Sequence, residues 1–137
     1  MIPMKMITVV VLLAAVVTIG AAGATRFAKG GGFRNLKVLP KDISSKDLQG
    51  IMADDFEDGL GVSCGFCHAG APGGHGLDFA SDAKPEKSIA RAMMRLTLAL
   101  NKRYFRVRKP MIGSEALAVT CSTCHRGQPF PDDGGLP

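Results

Sequence analysis

The sequence predicts a mainly α-helical domain, and three observations support this fold class. Two segments place apolar residues at the three- and four-residue spacing of a helix, and strand patterns are nearly absent. One pentapeptide pattern, Cys-x-x-Cys-His, occurs twice, at 64–68 and 121–125, each time after a helical segment. The chain of 137 residues therefore fits one small domain with two helix–loop–Cys-x-x-Cys-His modules. The best strand candidate, residues 35–39, is better explained as an extended arm.

The N-terminus resembles an export signal. Lys5 precedes an uncharged run at 6–24 rich in Val, Leu, Ile and Ala, which ends in the small residues Ala22-Gly23-Ala24. We predict a signal peptide at 1–24 with cleavage after Ala24. The run nearly spans a bilayer, so an uncleaved membrane anchor is the alternative. Both interpretations place the linker at 25–34 and the domain at 35–137 outside the cytoplasm.

The first predicted helix precedes the first pentapeptide. Asp42 or Ser44 supplies an N-cap, and the helix continues to about Asp58, with Gly59 just past its end. Acidic residues lie on one face. The opposite face carries Ser45, Leu48, Met52 and Phe56 at helical spacing.

The second predicted helix precedes the second pentapeptide. Pro85 suits its first turn, and the helix continues to about Phe105. Its apolar face carries Ile89, Met93, Leu96 and Leu100. A basic stripe of Arg91, Arg95 and Lys102 lies opposite. Such a stripe is either a solvated helix face or a docking surface for an acidic redox partner.

The duplicated pentapeptide predicts covalently bound haem c at two sites. Two thiols three residues apart can form thioethers with the two vinyl groups of one porphyrin, and the adjacent imidazole can bind the iron. A redox Cys-x-x-Cys would need a βαβ setting, which the sequence lacks, and a zinc site would leave the following His unexplained twice. The predicted thioether residues are Cys64, Cys67, Cys121 and Cys124, and the predicted proximal iron ligands are His68 and His125.

The sixth ligand of each iron is predicted to be a methionine. His75, the third histidine, lies in a glycine-rich loop and is interpreted as solvated. A neutral thioether favours ferrous iron and suits an electron carrier. Met52 and Met93 lie on the apolar faces of the two helices, whereas Met94 points about 100° away around the helix. In most proteins a methionine at such a position only fills the core.

Composition excludes some functions. The formal net charge is +5, but no nucleic-acid-binding motif accompanies it, so no nucleic-acid partner is expected. One Tyr, no Trp and 17 Gly would make a poor aromatic core, and two haems would supply the missing apolar bodies.

Several strings resemble the tetrahaem cytochrome c subunit of photosynthetic reaction centres. The resemblance spans about residues 35–131, and its longest string covers residues 119–129. Shorter strings are Asn-Leu-Lys-Val-Leu at 35–39, Ala-Arg-Ala-Met-Met-Arg-Leu-Thr at 90–97, Leu48, Ile51-Met52 and Asn101. The resemblance implies that Met52 pairs with His68 on one iron, and Met93 with His125 on the other.

The chain also departs from that family. The family subunit has four haems, whereas this chain has cysteines for two, and none is left for a lipid anchor. A histidine that the family places before its second motif is replaced here in the region of Gly113. The chain therefore resembles a two-haem, half-length version.

We predict a dihaem c-type cytochrome, not an enzyme, that carries single electrons outside the cytoplasm. It would be periplasmic or extracytoplasmic and membrane-associated, with a protein redox donor and acceptor, of which a membrane complex is one candidate. A dihaem peroxidase-like enzyme is an alternative, although it would need an open iron site and a distal acid or base. A haem subunit docked on a larger redox complex is another.

Overall fold

Helices dominate the part of the chain that the computed structural model describes, residues 32–131. The elements, in chain order, are α1 (Ser45–Gly50), a π-helical segment (Ile51–Asp58), α2 (Cys64–Cys67), β1 (Ala69–Gly70), β2 (Leu77–Asp78), α3 (Pro85–Arg103) and α4 (Cys121–His125). The predicted mainly α class is confirmed. The predicted signal peptide or anchor at 1–24 lies outside the described residues, and so does most of the linker.

The first predicted helix begins as its cap indicates, since the Ser44 hydroxyl accepts the Asp47 backbone N–H at 3.1 Å. The π-helical segment ends at Asp58, and the helical conformation continues through Gly59 and Leu60 to a turn at Gly61, slightly past the predicted end. From Ile51 onward, however, the helix has the wider π form. Such turns are rare and frequently occur at functional sites.

The buried core is small. It consists of Leu39, Ile43, Ile51, Met94 and Ile112, with the apolar face of the first helix packed against it. Residues 35–39 form no strand; the backbone bends at 37–39, and Leu36, Val38 and Leu39 supply part of this cluster. The strand pairing that does occur is a short antiparallel hairpin, β1 with β2, directly after the first pentapeptide.

The face of the long helix α3 that packs against the protein is not the face that its sequence pattern predicts. Ile89, Met93 and Leu96 are exposed, whereas the buried positions of the helix are Lys87, Met94 and Asn101. The interpretation of Arg91 as part of a solvated stripe is wrong, because its side chain is only 11% exposed and pairs with Asp82. Arg95 and Lys102 are exposed as predicted. The helix ends at Arg103, two residues before the predicted end.

Asn101 anchors the loop that leads into the second pentapeptide. Its side chain is fully buried, its Oδ1 accepts the backbone N–H groups of Ala118 (2.7 Å) and Val119 (3.1 Å), and its Nδ2 donates to the carbonyls of Val119 (2.7 Å) and Thr97 (2.9 Å). One amide therefore fixes the loop to the last turns of α3.

A glycine contact holds the two pentapeptides near each other. The Gly127 N–H donates to the Gly59 carbonyl at 3.1 Å. Gly61 has a φ of +63°, and a Cβ there would overlap the Gly127 carbonyl oxygen. Glycine is required at position 61, because any side chain would be strained in this backbone conformation and would push the two loops apart.

Candidate haem sites

The first pentapeptide opens onto a cavity of about 790 Å³, here called the first cavity. Residues of the arm at 35–39, the first helix, the hairpin and α3 line it. Met52, Cys64, Cys67 and His68, all predicted as site residues, line this one cavity. The structure thus brings together the thiols, the imidazole and the thioether that the first site requires.

The His68 side chain is held in a form suited to metal binding. Its ring packs edge-on against the Phe79 ring at 4.9 Å between centroids, and its Nδ1 is buried without a hydrogen-bond partner among residues 32–131. Burial lowers the pKa of His68, and the charges of Lys87 and Arg91 lower it further. The imidazole is therefore neutral near pH 7, and neutral imidazole is the form that ligates metals.

All four cysteines are free thiols. Cys64 donates to Glu57 Oε1 at 3.2 Å, and this hydrogen bond is the main reason that the pKa of Cys64 is raised. Burial raises the pKa of Cys67 and raises that of Cys121 to about 11, with a further contribution from Asp55 at Cys121. The raised pKa values keep Cys64, Cys67 and Cys121 protonated near pH 7.

The second pentapeptide forms α4. Thr120 and Thr123 make a reciprocal capping box at its start, and Arg126 ends it in the left-handed conformation. His125 Nδ1 lies 2.9 Å from the Gln128 carbonyl oxygen. A carbonyl can only accept, so Nδ1 is the donor in this hydrogen bond, and Nε2 is the ring atom that a metal could bind. This hydrogen bond is the usual support of a metal-ligating histidine.

The two predicted methionine ligands lie in different surroundings. Met52 lines the first cavity, whereas Met93 lies on the face of α3 that the described protein leaves exposed, with 43% of the residue accessible. Met94 is 5% exposed and lines the first cavity together with Met52. The sequence did not predict this position of Met94. The pairing of Met93 with His125 stays a prediction.

Charged side chains form part of the wall of the first cavity. Four lining residues are basic and two are acidic. The donor set fits a haem of the c type: thiols for the vinyl groups, an imidazole and a thioether for the iron, and cations for the propionates. The basic residues are Arg34, Lys37, Lys87 and Arg91, and the acidic residues are Glu57 and Asp78.

Two further sequence interpretations concern single residues. His75 lies exposed in the loop of the hairpin, as expected for a solvated residue. Gly113 has a φ of +81°, and a Cβ there would lie 2.6 Å from Ile51 Cγ1. A histidine at this position would collide with the core, in agreement with the departure from the family noted above.

Two searches of residues 32–131 had no positive result. No group of three or more His, Cys, Asp or Glu side chains is arranged to hold a metal ion by itself. Within the same residues, no helix combines the length and the apolar character that a membrane span needs.

Comparisons with known proteins identify the family to which this chain belongs. The model of the family described as "Photosynthetic reaction centre cytochrome C subunit" matches residues 14–134, and the chain belongs to this family. Covalently bound haem c is the cofactor that this membership implies.

Two curated relatives share parts of the chain. Cytochrome c-554 of Chloroflexus aurantiacus is 34% identical over 95 residues, which are 69% of this chain and 20% of that protein. The photosynthetic reaction center cytochrome c subunit of Rubrivivax gelatinosus is 31% identical over 70 residues, which are 51% of this chain and 16% of that protein. The chain thus spans a fifth or less of the length of these relatives. No solved structure matches it.

Proposed function

We propose that the protein is a dihaem c-type cytochrome that carries single electrons outside the cytoplasm. The observation that carries this proposal is the first cavity, in which Cys64, Cys67, His68 and Met52 converge. The second pentapeptide, with His125 oriented by the Gln128 carbonyl, supports a second site of the same kind.

The residues of the first cavity have separate tasks in this proposal. Cys64 and Cys67 hold the porphyrin covalently, and His68 offers a neutral imidazole. Apolar side chains of the arm and the first helix, such as Leu36 and Phe56, keep water from the ring. When bound, haem supplies an iron that exchanges one electron between its ferric and ferrous states. A methionine in the sixth position leaves no open site for a substrate, which favours a carrier over an enzyme.

Met52 is the proposed sixth ligand in the first cavity, and Met94 is its competitor there. Met52→Leu should remove the weak red charge-transfer band that ferric His/Met haem shows, for one haem of the two. Met94→Leu should keep the band, because that side chain then only packs against the cavity. Loss of the band in Met94→Leu but not in Met52→Leu would reverse the assignment.

Met93 is the proposed sixth ligand at the second site, opposite His125. Support comes from its position on an exposed apolar face together with Ile89 and Leu96, which a second porphyrin would cover. Met93→Leu should leave the thioethers intact, remove the band for one haem and lower its potential. If the band is unchanged, the ligand lies elsewhere, with Met111 and His75 as the next candidates.

Export of the chain is the second part of the proposal, and it rests on residues 1–24. The mature protein should begin at Thr25 in the periplasm or its equivalent. N-terminal sequencing of the native protein checks this, and recovery of intact Met1 in the membrane fraction would support an anchor instead.

The proposed partners are a protein redox donor and a protein acceptor. Basic side chains that are exposed in the second half of α3 and beyond its end would attract an acidic partner and raise its association rate. Docking on a larger complex is a second candidate, because the Rubrivivax relative is named as a reaction center subunit. The basic side chains are Arg95, Lys102, Arg103, Arg106, Arg108 and Lys109.

A redox titration with absorption spectra tests the proposed function. Two one-electron steps, with low-spin six-coordinate spectra in both oxidation states, are expected of the purified holoprotein. A high-spin iron that binds carbon monoxide or reacts with peroxide would instead indicate an open site and the peroxidase-like alternative.

A further inference from the structure

Three cationic side chains in the wall of the first cavity lie within 4 Å of the Asp82 carboxylate. Asp82 accepts from Lys37 Nζ at 2.7 Å, from Arg91 at 2.7 Å and from Asn35 Nδ2 at 2.8 Å. Lys87 Nζ lies 3.8 Å from the same carboxylate. These five residues are here called the Asp82 cluster.

Lys87 is the most buried member of the cluster. It is 8% exposed, which is rare for a lysine, and its Nζ donates to the carbonyls of Phe79 (2.7 Å) and Ser81 (2.6 Å). The Arg91 guanidinium is similarly sheltered and also donates to the Asn35 carbonyl at 3.0 Å. Backbone carbonyls accept from both cations, and Arg91 also pairs with the Asp82 carboxylate.

The charges of the Asp82 cluster differ in their position relative to the first cavity. Lys37, Lys87 and Arg91 line the cavity, whereas Asp82 does not. The positive side of the cluster therefore faces the space in which His68 also lies. The side chains of Lys87 and Arg91 are 10% and 11% exposed, so water screens their charges least, whereas Lys37 and Asp82 are 50% and 42% exposed and are screened more.

We propose that the Asp82 cluster raises the reduction potential of the haem in the first cavity. This inference rests on the proposed function. Reduction adds one electron to the iron and removes one positive charge, so nearby cations favour the ferrous state and the Asp82 carboxylate opposes them. A cation that pairs with a propionate acts in the same direction, since it cancels a negative charge near the iron.

Loss of a cation and loss of the carboxylate should shift the reduction potential of the first haem in opposite directions. Arg91→Gln should lower the potential of the first haem by about the equivalent of a tenfold change in the ferric-to-ferrous ratio, which is about 59 mV for one electron. Asp82→Asn should raise it, because the cations lose their opposing charge. Arg91→Lys keeps the positive charge, so its potential should lie close to that of the unchanged protein. Arg95→Gln, one turn away on the same helix and exposed, is the matched control and should leave it unchanged.

Redox titrations of these four holoproteins test the inference, and Met52→Leu identifies the step of the first haem. Haem content and two one-electron steps in the unchanged protein test the proposed function separately. Shifts of the same sign in Arg91→Gln and Asp82→Asn would overturn the inference, because a merely structural disturbance has no reason to follow charge. Equal shifts at both haems, or no shift at all, would overturn it as well.

Discussion

Replacement of Asn101 by alanine should destabilise the protein more than any exposed substitution on α3. The Asn101 amide is fully buried and serves four backbone groups. In Asn101→Ala, the N–H groups of Ala118 and Val119 and the carbonyl of Val119 lose their partner. The Thr97 carbonyl lies within the helix and is the least affected.

The expected loss follows from the cost of unpaired backbone groups. Each buried group that stays without a partner costs about 1–3 kcal/mol. Ala118 is exposed, so water can reach part of the loop, and we expect a total of about 2–4 kcal/mol rather than the full sum. Asn101→Asp keeps the two accepted hydrogen bonds but loses both donors, and it buries a charge. It should therefore be no more stable than Asn101→Ala.

Urea denaturation of the holoproteins, followed by far-UV circular dichroism, measures this effect as a lower midpoint at an unchanged slope. Lys102→Ala is the matched control, because the neighbouring side chain is exposed and should change stability by no more than about 0.5 kcal/mol. If Asn101→Ala unfolds within about 0.5 kcal/mol of the unchanged protein, the amide does not anchor the loop.

Two further predictions concern other parts of the structure. Gly61→Ala should cost at least about 2 kcal/mol in the same urea assay, since the left-handed backbone alone costs about 1–2 kcal/mol and the methyl group would overlap the Gly127 carbonyl; an unchanged midpoint would refute the contact. Lys37 and then Arg91 hold the pKa of Asp82 below its usual range. The carboxylate therefore stabilises the fold above about pH 4. This stability is lost as the pH falls through the lowered pKa, so the midpoints of Asp82→Asn and the unchanged protein should differ at pH 7 and converge in acid.

The sequence predicted those features that are encoded locally. Ser44 and Pro85 mark the helix starts because capping and first-turn preferences depend on a few neighbouring residues. The π form of the first helix escaped prediction, since the apolar spacing of Leu48, Met52 and Phe56 is compatible with both kinds of helix. Each Cys-x-x-Cys-His pentapeptide is likewise recognised from five consecutive residues, without knowledge of the fold.

The rest of the first site depends on tertiary contacts. Asn35 and Asp82 are 47 positions apart, and no spacing rule connects them. On α3, the apolar stripe predicted the wrong inner face. Lys87 is buried and the Arg91 side chain is only 11% exposed on the face that packs against the protein, because carbonyls and a carboxylate of other segments satisfy their charges. Met94 lies on the same face as these cations, which explains why its place in the first cavity was missed.

The intact mass of the exported protein under denaturing conditions tests the central claim most directly. Because thioethers survive unfolding, the mass should equal that of the processed polypeptide plus two haems, and the polypeptide should stain for haem after electrophoresis. A mass with one haem or none, or haem that acid acetone extracts, would contradict the claim that both pentapeptides, with Cys64 and Cys67 in one and Cys121 and Cys124 in the other, hold haem covalently.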